Sequence, residues 1–173
     1  PLHLEGTVDV QRATPWFPVV GLVIGAMGAA VFVAALEILP PGPAAALALV
    51  TTAAITGAFH HDGLADIADA FGGGWDRDQR LAILKDSRHG TYGVTAIATS
   101  IVVRMFTLGS LPGPATMFAA AVAAHTLGRA ATVSLAGTMR LATHSGLGAD
   151  YGRSTTPARA VFGLVSSVAV ATL

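Results

Sequence analysis

His60-His61-Asp62-Gly63-Leu64-Ala65-Asp66-Ile67-Ala68-Asp69, continued by Lys85-Asp86-Ser87-Arg88-His89-Gly90-Thr91-Tyr92-Gly93, is a polar segment between apolar walls. Asp62, Asp66, Asp69, Asp76, Asp78 and Asp86 lie in it, as do Arg77, Arg80, Lys85 and Arg88. The flanks are almost entirely Ala, Val, Leu, Ile and Gly. Chemistry is therefore expected in this segment, and the flanks decide the fold.

Only 12% of the 173 residues are charged and 53% are hydrophobic, whereas soluble domains carry about 25% charge. Mean hydropathy is +0.63. The apolar residues come in long runs rather than at amphipathic spacing, which marks a membrane protein. Formal net charge is zero, and no basic tail offers a nucleic-acid surface. The absence of cysteine excludes disulfides, thiolate metal sites and a cysteine nucleophile. The opening lacks Met and the features of a signal peptide, and Val161 to Leu173 is an apolar run. The expectation is a fragment of a longer chain.

In order, Trp16 to Leu39 is long enough to cross about 30 Å of hydrocarbon, with Trp16 and Phe17 as interfacial anchors. Pro40-Pro41-Gly42-Pro43 breaks the chain, and Ala44 to Phe59 returns it to His60, its end continuing into the polar segment. Val94 to Leu108 and Ala115 to Ala136 follow, separated by Leu111-Pro112-Gly113-Pro114, and a polar loop spans Met139 to Arg159. This predicts an all-α, polytopic integral membrane helical bundle: a single membrane domain over 1–173, with about four full spans and the start of a fifth. Residues 60–90 form its Asp-rich catalytic segment. Arg12, the Arg77–Arg88 group, Arg140, Arg153 and Arg159 fall on one side of alternating spans, so the positive-inside rule puts that segment in the cytoplasm.

Asp62, Asp66 and Asp69 share a helical stripe roughly 60° wide. Adjacent carboxylates repel unless a cation neutralises them, and hard oxygen donors suit Mg²⁺ or Mn²⁺. Asp76, beyond Gly72-Gly73-Gly74, can fold back as a further ligand. The plainer reading is a solvated acidic face; against it, Leu64, Ile67 and Phe71 make the opposite face apolar. The glycine triplet alone reads as a flexible turn. Lys85 and Arg88 are suited to phosphate oxygens and lead into Gly90, where backbone can approach a ligand closely. Asp86 is grouped with them, while Arg77 and Arg80 are accounted for by the positive-inside bias. His60 is a candidate substrate contact. Arg104 and Arg129 are charges inside spans, which mark a partner or a site. Arg129, four residues after His125, is expected to face the anionic site; Arg104 is expected to pair with Glu37 or to snorkel. The polar loop, with His144 to Gly148 and Asp150, is a candidate cover.

The pattern His60-x-Asp62-Gly63-Leu64-Ala65-Asp66-x-x-Asp69, with Lys85-Asp86-Ser87-Arg88-x-Gly90-Thr91-Tyr92-Gly93, resembles the cobalamin synthase family, the adenosylcobinamide-GDP ribazoletransferases. Phe17-Pro18-Val19-Val20-Gly21 and Gly128-Arg129 add to the likeness, while Ile67 and His89 stand where a small or hydroxyl residue and an aliphatic one are expected. The resemblance implies a multi-pass, Mg²⁺-dependent transferase of the cell (inner) membrane. It would join adenosylcobinamide-GDP to α-ribazole or its 5′-phosphate and release GMP. Carried onto these residues, Asp62, Asp66 and Asp69 hold metal, Lys85, Arg88 and Arg129 stabilise phosphate charge, and Asp69 is the candidate general base. Two alternatives compete. A CDP-alcohol phosphatidyltransferase would carry Ala-Arg after its Asp-Gly element, where this chain has Leu64-Ala65-Asp66. A cation transporter would place its carboxylates near mid-bilayer.

Overall fold

The computed structural model describes residues 13, 16–143 and 147–171. Arg12 and His144 to Gly146, part of the expected cover, lie outside the described residues. Every regular element described is a helix: α1 (Phe17–Ala35), α2 (Pro41–Ile55), α3 (Phe59–Gly73), α4 (Arg77–Ile83), α5 (Thr91–Gly109), α6 (Pro114–Thr138), α7 (Leu147–Ser154) and α8 (Pro157–Ala171). Packing groups these into two compact units, Met27–Met117 and the residues on either side of it. Both boundaries fall inside helices, α1 and α6.

The all-α membrane bundle is the observed class, and among the described residues two or three elements meet the length and apolarity of a span. Among the described residues, α1 and α5 are long and apolar enough to cross a membrane. A third span exists if α2 and α3 count as one broken element, bent by 92°. The expected second span runs smoothly into the polar segment; in the structure Gly57 (φ +61°) and Ala58 (φ +56°) are both left-handed and stop the helix. Left-handed backbone costs a non-glycine residue about 1–2 kcal/mol, so helix cannot propagate through this corner. The 25 residues of α6 suffice in length, but His125, Arg129 and its many Ala, Gly and Thr residues dilute its apolarity. Helix α8 has 15 residues, short of a span.

In the Met27–Met117 unit, α5 packs along both α2 and α3, and α4 folds back on α3. The buried positions are mostly small: Ala44, Ala45, Ala48 and Thr52 on α2, Ala65 and Ala70 on α3. Small residues let helix backbones approach closely, the usual way to pack helices without a hydrophobic drive. Val94, Val102, Val103 and Phe106 of α5 point outward, an apolar surface suited to lipid rather than water.

In the other unit, α1 meets α6 through Gly21 and Gly25. A Cβ on Gly21 would sit 2.7 Å from the His125 carbonyl oxygen and 2.8 Å from Thr126 Cα. Neither atom can yield without moving α6. Gly21→Val is therefore expected to destabilise the unit by about 2–3 kcal/mol through overpacking, read as a lowered melting temperature in detergent. An unchanged transition would show that α1 does not pack this tightly.

Candidate active site

Asp62 and Asp66 stand one turn apart on α3. His89, in the loop before α5, faces both: its Nε2 lies 3.5 Å from Asp62 Oδ1 and its Nδ1 lies 3.8 Å from Asp66 Oδ1. One ligand atom from each of the three falls within 4.8 Å of the others, a group able to hold a metal ion. His89 was not among the residues expected here; the one signal was its place as an odd residue in an otherwise recognisable motif.

Asp69 is turned elsewhere. Its Oδ2 accepts from the Gly90 amide at 2.6 Å and its Oδ1 from the Gly93 amide at 2.9 Å. Gly90 is the N-cap residue of α5, so a buried carboxylate from one helix supplies the acceptor missing from the first turn of another. Both glycines are required by closeness. A Cβ on Gly90 would lie 2.6 Å from Asp69 Oδ1, and one on Gly93 would lie 3.0 Å from the Cβ and carbonyl oxygen of Ala65.

Asp76 caps α4, accepting from the Gln79 amide at 2.9 Å, while the Trp75 amide donates to Gln79 Oε1 at 2.9 Å. This is close to a capping box. Arg80 donates from Nε to the Gly74 carbonyl at 3.0 Å and lies over the Phe71 ring at 4.8 Å. The expected flexible glycine turn is thus more ordered than its composition suggests: Gly72 and Gly73 complete α3 and only Gly74 is extended.

Asp86 and Arg88 form a fork. Arg88 Nε donates to Asp86 Oδ1 at 3.0 Å and Nη2 to Oδ2 at 2.7 Å; the Arg88 amide also donates to Oδ1 at 3.0 Å. These bonds hold the Asp86 carboxyl at about 2, below its ordinary 3.8, and push the Arg88 guanidinium above its ordinary value. Because the folded value is depressed, the tie is intact above about pH 4 and is lost as pH falls toward 2. An open cavity of about 440 Å³ is lined by Asp69, Asp86, Arg88, His89, Gly90 and Tyr92, among others. Lys85 is exposed and makes no ion pair among the described residues.

His60 is exposed and meets Phe59 edge-on. Its neighbour His61 holds the fixed position: Arg104 Nη2 lies 2.9 Å from His61 Nε2, and Arg104 Nε donates to the Ser100 carbonyl at 3.1 Å. Arg104 therefore ties α5 to α3 through His61, rather than pairing with Glu37 or snorkelling as its sequence position suggests. Arg129 belongs to the other unit; it donates to the His125 carbonyl at 3.1 Å and faces His125 Nδ1 at 3.3 Å.

The family model described as cobalamin-5-phosphate synthase matches residues 1–173. The chain belongs to the cobalamin-5-phosphate synthase family. Among curated relatives named adenosylcobinamide-GDP ribazoletransferase, one from Bradyrhizobium diazoefficiens is 43% identical over 166 residues, covering 93% of this chain and 64% of the relative. One from Mesorhizobium japonicum is 50% identical over 113 residues, covering 65% and 44%. One from Shewanella frigidimarina is 44% identical over 128 residues, covering 73% and 49%. The chain thus spans between 44% and 64% of the length of these family members. No solved structure matches it significantly.

Proposed function

We propose that this member of the cobalamin-5-phosphate synthase family joins adenosylcobinamide-GDP to α-ribazole or its 5′-phosphate and releases GMP, with Mg²⁺ as cofactor. The reaction takes place at the cytoplasmic face of the cell membrane. The acceptor's ribose hydroxyl attacks the cobinamide-bound phosphorus. Its oxygen–phosphorus bond forms as the bond to GMP breaks, and the hydroxyl proton is released to water at this open face. The observation that carries the reading is that His89 belongs both to the metal-capable group with Asp62 and Asp66 and to the cavity lined by Asp86 and Arg88, in a chain whose relatives are named for this transfer.

Asp62 and Asp66 are the residues that would hold the metal. When bound, Mg²⁺ supplies charge neutralisation to the diphosphate and to the departing GMP. Arg88 spends Nε and Nη2 on Asp86 and, among the described residues, has Nη1 available for phosphate oxygens. Lys85, exposed beside it, adds a second cation for the equatorial oxygens. In this reading Asp69, first expected as general base and metal ligand, positions the Gly90–Gly93 turn instead, and Asp76 serves as the cap of α4.

The test supplies purified protein with adenosylcobinamide-GDP and each acceptor in turn, with and without Mg²⁺, and follows GMP. Mg²⁺-dependent GMP with a matching cobalamin product is expected. Folded protein that releases none, but turns over a CDP-alcohol substrate, would overturn the proposal. Arg88→Ala is expected to raise the KM for the diphosphate substrate about 10- to 100-fold, the weight of a charge-assisted contact. It also returns the Asp86 carboxyl toward its ordinary 3.8. Unchanged kinetics would leave Arg88 with its bond to Asp86 alone.

A further inference from the structure

Asp62, Asp66 and His89 offer one ligand atom each within 4.8 Å of the others. Two donors each about 2.1 Å from one metal lie roughly 3.0–4.2 Å apart, depending on the angle at the metal. The separations of 3.5 and 3.8 Å run from different ring nitrogens, Nε2 to Asp62 and Nδ1 to Asp66, so only one of them is a metal-ligand pair for a single ion; each by itself falls in that interval. They are also too long for good hydrogen bonds. Among the described residues, His89 is the sole ion partner of Asp62 and Asp66.

The imidazole is not there by chance of a mobile loop. On one side of His89, the Arg88 amide is tied to Asp86; on the other, the Gly90 amide is tied to Asp69. The first bond shapes the loop itself, and the second ties it to α3 one residue after His89. A donor set of two carboxylate oxygens and one imidazole nitrogen is not one that Mg²⁺ selects. Mg²⁺ holds oxygen ligands and water, whereas imidazole favours borderline transition ions, whose affinity rises from Mn²⁺ toward Zn²⁺.

We propose that His89 is a nitrogen ligand completing a mixed cation site with Asp62 and Asp66, so that this protein prefers a borderline divalent transition ion over Mg²⁺. The proposal rests on the cation site suggested above and concerns which divalent ion that site binds most tightly.

Cobalt is the probe, because its visible spectrum and shifted proton resonances report its ligands. The purified protein in detergent is titrated with Co²⁺, and Mg²⁺ is then added in competition. Wild type is expected to bind Co²⁺ at least tenfold more tightly than Mg²⁺ and to show a strongly shifted, solvent-exchangeable imidazole N–H resonance. In His89→Ile the preference for Co²⁺ falls at least tenfold and that resonance disappears. His89→Gln, which keeps the size and offers an oxygen, guards against a folding defect and is expected to bring the preference back toward Mg²⁺. If both ions are lost in Asp62→Asn but both His89 variants keep the wild-type preference and spectrum, the role of His89 is overturned and the carboxylate site stands. If Co²⁺ and Mg²⁺ binding ignore Asp62→Asn and Asp66→Asn, both readings fail.

Discussion

Asp66→Asn is expected to cut GMP release by about a thousandfold while the protein still folds and inserts. Of the four candidate metal ligands, Asp69 and Asp76 accept backbone hydrogen bonds and, among the described residues, Asp62 and Asp66 do not, so their replacement removes charge without removing such a bond. Metal neutralisation of a diphosphate contributes several kcal/mol to the transition state, and about 4 kcal/mol corresponds to three decades in rate. Asp62→Asn should match it, and the pair should be far from additive, because either loss empties the same site. The check is GMP release at saturating substrates, with helix content and detergent extraction profile measured in parallel. Wild-type turnover in either variant would mean that the carboxylates of α3 are only a solvated face.

Asp69 should behave in the opposite way, with stability moving first. Asp69→Ala strips the acceptor from two amides, and charge-assisted hydrogen bonds are each worth about 1.5–3 kcal/mol. A loss of roughly 2–4 kcal/mol is expected, lowering the melting temperature by about 5–15 °C. Asp69→Asn separates the roles. An amide oxygen still accepts from one of the two glycines, so a positioning residue keeps a tenth or more of its kcat. A general base would lose nearly all of it at every pH, with the melting temperature barely changed. That second pattern would restore Asp69 to the chemistry.

The contrast explains what could be read from the sequence. Composition fixed the class, because 12% charge leaves too little polar surface for a water-facing globule. The i, i+4 spacing of Asp62 and Asp66 put them on one stripe, and the structure keeps them there. Asp69 lies on the same stripe by periodicity, yet its oxygens go to Gly90 and Gly93, more than twenty residues on. Helical phase says which way a side chain points but not what another element brings to meet it. The same limit hid His89, which reaches the carboxylates through loop closure, and Arg104, which found His61 rather than Glu37. Asp76 is readable in principle: Asp76-Arg77-Asp78-Gln79 is a cap pattern, though an acidic side chain near other carboxylates reads equally as a metal ligand.

The right-angle corner at Gly57 and Ala58 has a consequence for insertions and deletions. A continuous helix transmits its phase like a turning shaft, so one added residue rotates everything downstream by about 100°. Here the shaft is cut. Adding or removing a residue within α2 leaves the bearing of α3 to be set by its own contacts with α5, and Asp62 and Asp66 keep facing His89. The same change between Asp66 and Asp69 has no such clutch, and would swing both carboxylates away from His89 while Asp69 keeps its bonds to Gly90 and Gly93. Length variation in this protein should therefore be tolerated on one side of the corner and forbidden on the other.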